Sequence, residues 1–600
     1  MLKISNLSTW VKLEQRWLRA VDDISFTIEP GEVFGLIGES GCGKSMTALS
    51  IMRLLPASAA YVGESNVGLH GKNLIDLPEK DMRTIRGGDI AMIFQDPMTC
   101  LNPVLTIGTQ ITEVLSLHQR LKGRECYVEA LRLLEAVRIP AAVHRFNSYP
   151  HELSGGMKQR VMIAMALAGK PSLLIADEPT TALDVTTQAQ ILSLIREIQK
   201  QQNMALLLIT HDLAVAAQMV DTIAVMRGGK IVEQNTGERF FAGPKHAYSQ
   251  QLLASLPQLF SFKGNVLKQQ DENILEVVNL QVHFPVRTGI LRRTTGYIKA
   301  VDGVSFNLRK GETLALVGES GCGKTTIGKA LLALTETATG QVKYNGMDLL
   351  QLSQKKWRKI RSDLQIVFQD PFAALNPKLR IIDSLEEGLI VQGKYKSKTE
   401  RVAKIDRLLE QVGLLSEHKW RFPHEFSGGE RQRLCIARAL TVEPKIIICD
   451  EPTSSLDVSV QAQVLGLLQT LQVEHDLTYL FITHDLAIVS LLAHRVAVMY
   501  LGRIVESGLT KDVLSSPKHP YTQALLDAVP KINEPQHNLS GVITGEIPSP
   551  LSPPIGCHFH PRCKFAKAVC RKVYPVATQI SDTHMVKCVL YEQNLTAASS

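Results

Sequence analysis

The sequence predicts an α/β fold built twice in one chain, with a small cysteine-bearing tail after it. Three observations carry this prediction. Five motifs occur in the same order in each half, short apolar runs bounded by turn residues alternate with helical patterns, and four cysteines gather near the C-terminal end.

The duplication can be read directly. GESGCGKS at 38–45 returns as GESGCGKT at 318–325, and FQDPMTCLNP at 94–103 returns as FQDPFAALNP at 368–377. YPHELSGGMKQR at 149–160 returns as FPHEFSGGERQR at 422–433. ADEPTTALDV at 176–185 returns as CDEPTSSLDV at 449–458, and ITHDL occurs at 209–213 and again at 482–486. Gln95 and Gln369 are 274 residues apart, while Asp177 and Asp450, like His211 and His484, are 273 apart. Ordered motifs in near-constant register are the mark of tandem copies. The expected units are residues 1–254 and 273–530. Between them, 255–272 shows no apolar periodicity and reads as a linker. From 531 to 600 a Pro-, Gly- and Ser-rich stretch leads into the cysteine tail.

The apolar runs VFGLIG, IAMIF, LLIAD and ALLLIT in the first copy, and LALVG, LQIVF, IIICD and YLFIT in the second, are short and unalternating. That pattern predicts strands buried on both faces. With helices between them they imply a largely parallel sheet. Segments 97–153 and 371–426 read as mostly helical and predict a smaller subdomain in each copy.

Composition excludes several classes. The chain has 600 residues, 45% hydrophobic and 21% charged, with no uninterrupted apolar run of eighteen, so no membrane helix is expected. MLKISNLSTW lacks a basic stretch leading into an apolar one, which argues against a secretory signal. A net charge of +8 is modest for this length, and no basic block is interleaved with aromatics, so nucleic acid is not an expected partner. A cytosolic setting makes the ten cysteines reduced thiols or metal ligands. Six are scattered and read as ordinary small residues.

The chemistry starts at GESGCGKS and GESGCGKT, which fit the P-loop pattern between a predicted strand and a predicted helix. Gly38, Gly41 and Gly43, with Gly318, Gly321 and Gly323, let backbone N–H groups turn toward phosphates at a helix start. Lys44 and Lys324 would reach the terminal phosphates, and Ser45 and Thr325 would ligate Mg²⁺. LLIADE and IIICDE each bring two acids to the end of a buried strand. Asp177 and Asp450 suit the Mg²⁺ role there, and Glu178 and Glu451 suit the general base that polarises water.

LSGGMKQR and FSGGERQR resemble the signature motif of ABC ATPases. The resemblance implies two domains packed head to tail within the chain, each signature capping the ATP held by the other P-loop. Ser154 and Gly156 would then contact ATP at Lys324, and Ser427 and Gly429 would contact ATP at Lys44. It also implies that Gln95 and Gln369 are Q-loop residues that approach Mg²⁺. His211 and His484 would be switch histidines, and Asp184 and Asp457 D-loop residues. Phe284 sits where the family places an adenine-stacking aromatic, while Trp10 is one residue out of step. Both copies keep the full set, so two hydrolytic sites are expected.

FQDP followed by LNP in both halves, and KHPYTQALLDAVP at 518–530 echoed by KHAYSQQLLASLP at 245–257, are similar to dipeptide and oligopeptide importer ATPases. Nickel and glutathione importers belong to the same family, and the fused layout with the insertion at 284–306 resembles the glutathione-importing members. The implied partners are two integral-membrane permease subunits and an extracytoplasmic solute-binding protein. The implied location is the cytoplasmic face of the inner membrane. Cys557, Cys563, Cys570 and Cys588 resemble the C-terminal cysteine motif of the oligopeptide branch, which implies a [4Fe–4S] cluster. Zinc and free thiols stay open, and His558, His560 and His584 are alternative ligands. A twin-ABC translation or repair factor would need a long charged linker or large insertions, and neither is present. The importer features argue against an exporter motor.

Overall fold

The protein is described by a computed structural model, which covers every residue except 14–15, 182, 256–271, 289–292, 336, 394, 455, 531–542, 544 and 593–600. Each half is built on a central sheet that contains the four expected apolar runs as parallel strands. In the first half the order is Lys230–Thr236, Thr222–Arg227, Val33–Ile37, Ala205–Thr210, Leu173–Asp177 and Ile90–Ile93, parallel except at the Lys230–Thr236 edge. The second half repeats this order with Arg503–Leu509, Arg495–Tyr500, Thr313–Val317, Thr478–Thr483, Ile446–Asp450 and Leu364–Val367.

These strands read as unbroken apolar runs because helices cover both faces of the sheet. Val33–Ile37, Leu173–Asp177 and Ala205–Thr210 are buried at every position, as are their counterparts in the second half. Fully burying one Leu, Ile or Val side chain contributes about 1.5–3 kcal/mol, so the sheet centres are the rigid part of each half. The residues of interest lie where these parallel strands end.

A second, antiparallel sheet flanks each core. It is centred on the hairpin Leu2–Leu13 with Arg16–Ile28 in one half, and Asn273–Thr288 with Arg293–Arg309 in the other. The segments expected to be helical are so: Ile107–His118 and Gly123–Ala136 match Ile381–Gln392 and Lys398–Gln411. Among the described residues no helix is long and apolar enough to cross a membrane.

The expected linker lies outside the described residues except at its two ends. The helix Ala247–Ala254 precedes it and the strand from Asn273 follows it. The tail is not an independent appendage. His584–Val586 pairs with Arg503–Leu509 and carries Thr578–Ser581 outside it, extending the second sheet to eight strands where the first has six. His584 Nε2, 2.7 Å from Glu506 Oε1 in a buried contact, pins this extension.

Candidate functional site: two nucleotide sites between the halves

Each P-loop turns from the end of a buried strand into a helix, Lys44–Ile51 or Lys324–Leu331. Gly43 has φ +109° and an added Cβ would meet Ala20 O at 2.1 Å, so only glycine fits there; Gly323 repeats this against Ala300 O at 2.0 Å. Lys44 Nζ donates to Gly38 O at 2.7 Å and Glu39 O at 2.8 Å, and Lys324 Nζ donates to Gly318 O at 2.6 Å and Glu319 O at 3.1 Å. Both ammonium groups are thus held inside the loop by its own carbonyls.

Ser45 Oγ lies 3.1 Å from Asp177 Oδ1, and Thr325 Oγ1 lies 2.9 Å from Asp450 Oδ1. Two cis oxygens on an octahedral Mg²⁺ at 2.0–2.1 Å are about 3.0 Å apart, so both pairs offer the spacing that the ion requires. Burial pushes the Asp177 carboxyl up to about 6, against the Ser45 hydrogen bond, and burial raises Asp450 as well. A nearby cation is the natural counterweight to such a group.

The adjacent glutamates behave in the opposite way. Burial would raise Glu178, but His211 beside it wins and holds the carboxyl down to about 2, and Glu451 is lowered likewise by His484. Gln95 Nε2 donates to Glu178 Oε2 at 2.9 Å, and Gln369 Nε2 donates to Glu451 Oε2 at 3.1 Å. Glu178 is thus fixed by Gln95 and His211, and Glu451 by Gln369 and His484. Both also have left-handed backbones, φ +48° at Glu178 and +47° at Glu451. For a non-glycine residue this costs about 1–3 kcal/mol. Glu178 N donating to Ile209 O and Glu451 N donating to Ile482 O, each at 2.9 Å, hold the conformation in place. Sequence reading gave no sign of that strain.

The D-loops join the halves reciprocally. Ser40 N of the first P-loop donates to Asp457 Oδ2 at 2.9 Å, and Ser320 N of the second donates to Asp184 Oδ2 at 3.5 Å. Ser459 Oγ donates to Glu39 Oε1 at 2.7 Å, and Thr186 Oγ1 makes the equivalent short contact to Glu319. The first site is therefore bordered by Gly38, Glu39 and His211 from one half and by Asp457 and Ser459 from the other.

The signature serines cap the helices Gly155–Leu167 and Gly428–Leu440. Gly156 and Gly429 pack on the D-loop helices, where an added Cβ would meet Thr187 Cγ2 at 2.7 Å and Val460 Cγ1 at 2.2 Å. The two signatures differ at the residue after the second glycine, Met157 against Glu430. S-x-x-E at 427–430 is a capping-box pattern. Ser427 Oγ donates to Glu430 Oε2 at 2.8 Å, whereas Met157 offers Ser154 no such acceptor. Phe284 stands 37% exposed on its hairpin, and the Arg19 guanidinium lies 5.0 Å from the centre of the Trp10 ring.

The four tail cysteines, with His519 and His560, line one cavity. Burial pushes the Cys557 and Cys588 thiols up to about 11 and raises Cys563. Among the described residues no group of three or more His, Cys, Asp or Glu is disposed to hold a single metal ion. His558 and His584 are turned to other partners, Leu501 O and Glu506.

A parallel sheet that ends in a P-loop, an Asp-Glu pair and a histidine, twice over and shared between two halves, defines a P-loop nucleotide hydrolase. The family profile "ABC transporter" matches residues 21–181 and 301–454, and "Oligopeptide/dipeptide transporter, C-terminal region" matches 232–278 and 505–570. The chain belongs to the ABC transporter family and is an ATP-binding ATPase of its oligopeptide/dipeptide branch. It is 48% identical to the glutathione import ATP-binding protein GsiA of Escherichia coli O157:H7, over 92% of this chain and 93% of that one. The GsiA of Shigella flexneri gives the same figures. Among solved structures, a dimeric post-hydrolysis state of the ATP-binding cassette MJ0796 bound to ADP and Pi is 28% identical. It covers 39% of this chain and 98% of that one, with a TM-score of 0.36.

Proposed function

We propose that this chain is the complete motor of a peptide importer, with both ATPase domains in one polypeptide and glutathione or a similarly small peptide as cargo. The observation that carries the motor reading is the reciprocal D-loop contact. Asp457 on the first P-loop and Asp184 on the second make each site a shared product of both halves. The cargo class rests on the likeness to the GsiA proteins.

At each site the P-loop lysine and N–H groups bind the phosphates of ATP, and Ser45 with Asp177, or Thr325 with Asp450, holds Mg²⁺. When bound, Mg²⁺ would supply charge neutralisation at the phosphates. Glu178, fixed at both oxygens, and Glu451, held at Oε2 by Gln369 and His484, accept the proton of the attacking water. Ser154 with Gly156, and Ser427 with Gly429, supply a hydroxyl and helix-start N–H groups to the phosphate held by the opposite half. Closing the halves on ATP and reopening them after hydrolysis moves Gln95 and Gln369, which link the glutamates to the helical subdomains. Those subdomains face two separate permease subunits at the cytoplasmic side of the membrane, and a solute-binding protein delivers cargo from the other side.

We read the division of the chain as 1–254, 255–272, 273–530 and 531–600, with the last segment holding a [4Fe–4S] cluster at Cys557, Cys563, Cys570 and Cys588. Zinc bound by four thiolates at 2.3 Å needs sulfurs about 3.8 Å apart. What supports a shared group there is that the four thiols line one cavity. The test is isolation of the tagged chain from membranes without oxygen, followed by identification of its partners. Two permeases, with uptake of labelled glutathione or dipeptide in reconstituted vesicles, are expected. Ribosomal or DNA-repair partners without permeases would overturn the importer reading.

A further inference from the structure

The two nucleotide sites are built from the same motifs, yet the residue after the first P-loop glycine meets different surroundings. In the first half Glu39 is partly exposed, and its carboxylate accepts from Ser459 Oγ. Among the described residues no ion pair reaches it. In the second half Glu319 is 1% exposed and is gripped from the tail. Arg562 NH1 donates to Glu319 Oε2 at 2.7 Å and Arg562 NH2 donates to Glu319 Oε1 at 2.8 Å.

Arg562 ends the short 3₁₀ turn His560–Arg562 and is itself almost fully buried. It lies over the edge of the Tyr500 ring, 5.9 Å from its centre. The first-half position that matches Tyr500 is Arg227, whose guanidinium lies over Tyr248, the match of Tyr521. Glu319 also accepts from Thr186 at the start of the first half's D-loop helix, and its own N–H donates to Tyr521 Oη at 2.9 Å. One carboxylate therefore ties together the tail, the second P-loop and the opposite D-loop. The tail touches the first half a second time, where Gln190 Nε2 donates to Ile543 O at 2.7 Å, and Gln190 Oε1 in turn accepts from Arg160 on the first signature helix. Every one of these contacts lies on the side of the site that holds Lys324.

We propose that Arg562 is a positioning residue for the second nucleotide site alone, so that the tail makes the two sites unequal in their affinity for ATP. A buried carboxylate beside a P-loop repels the phosphates that the loop must bind. The bidentate guanidinium cancels that charge and fixes the loop and Thr186 in the closed arrangement before nucleotide arrives. At the first site solvent screens Glu39, and no tail residue does this work. The inference rests on the assignment of two ATP sites given above.

The test separates the sites by trapping. With Glu451→Gln the second site retains ATP, and with Glu178→Gln the first does. The full chain in each background is titrated with ATP and Mg²⁺ and the retained nucleotide is counted. Adding Arg562→Gln should raise the ATP concentration for half-occupancy by about tenfold or more in the Glu451→Gln background and leave the Glu178→Gln background unmoved. Arg562→Lys, which keeps the charge but not the fork, should fall between the two. Should Arg562→Gln alone fail to fold, the pair Glu319→Gln with Arg562→Gln removes the lone buried charge. Its loss of ATP affinity should then be confined to the second site, measured against the Glu451→Gln and Glu178→Gln parents, and an equal shift at both sites would overturn the inference. Equal shifts at both sites, or none at either, would overturn the inference and leave the ATP sites standing. Parent chains that retained no ATP would overturn the site assignment and this inference with it.

Discussion

His211 Nδ1 stands 2.9 Å from Glu178 Oε1, and the equivalent His484 Nδ1 stands 3.4 Å from Glu451 Oε2. The histidine is drawn toward its charged form by the glutamate, against burial, and the glutamate is kept ionised by the histidine. An ionised, immobilised carboxylate is what a general base for water requires. His211→Ala should therefore lower ATP turnover by about 10²-fold or more while ATP binding persists. Steady-state hydrolysis and equilibrium binding on the same preparation check this. A parallel loss of binding would mean that His211 mainly holds nucleotide.

The signature glycines make a prediction about packing. Gly429→Ala would drive a methyl group to 2.2 Å from Val460 Cγ1, and Gly156→Ala would meet Thr187 Cγ2 at 2.7 Å. Overpacking of this kind costs about 1–3 kcal/mol. Gly429→Ala should lower the melting temperature more than Gly156→Ala, because Val460 is approached more closely. Scanning calorimetry of the two variants compares them.

The two signatures should also respond differently to one change. Ser427 is engaged by Glu430 Oε2, which accepts from both its N–H and its hydroxyl. Glu430→Met recreates the first-half pattern and removes an acid from the helix start. The loss of a capping interaction costs about 1 kcal/mol of stability. Tighter ATP binding at the first P-loop is expected to accompany it if Ser427 contacts that nucleotide as proposed, and nucleotide titration of the variant reads this.

Much of this was legible in the chain itself. The eight apolar runs are strands because a sheet covered on both faces needs no alternation, and the motifs sit at their ends because phosphate sites form where strand turns into helix. Ser427 and Glu430 are legible too, as S-x-x-E, a capping pattern that overlaps the signature motif. The left-handed Glu178 and Glu451 were not legible, since their conformation is imposed by backbone bonds to Ile209 and Ile482 on a neighbouring strand. Nor was the joining of Arg562 to Glu319, 243 residues apart, because no local pattern records which loop a tail will meet.

Acid stability gives a further check. Burial would raise the Asp302 carboxyl, but the Arg503 guanidinium, donating to Oδ2 at 2.7 Å, lowers it below the ordinary value. Arg503 also lies 4.1 Å from the centre of the Tyr574 ring, so the pair fastens the second hairpin to the tail. A carboxyl lowered on folding adds stability above its unfolded value, and that stability is lost as pH falls through the folded one. Unfolding followed from pH 6 downward should show a loss beginning near pH 4. Asp302→Asn should be less stable at neutral pH and should show a shallower acid limb.

The central claim is that one chain holds two working hydrolytic sites, each with its own glutamate. The direct measurement is the Mg²⁺-dependent ATPase rate of Glu178→Gln, Glu451→Gln and the double variant beside the parent. The double variant should lose at least about 10²-fold in rate while still binding ATP, and each single variant should fall well below the parent. An unchanged rate in the double variant would contradict the assignment of Glu178 and Glu451 as the bases.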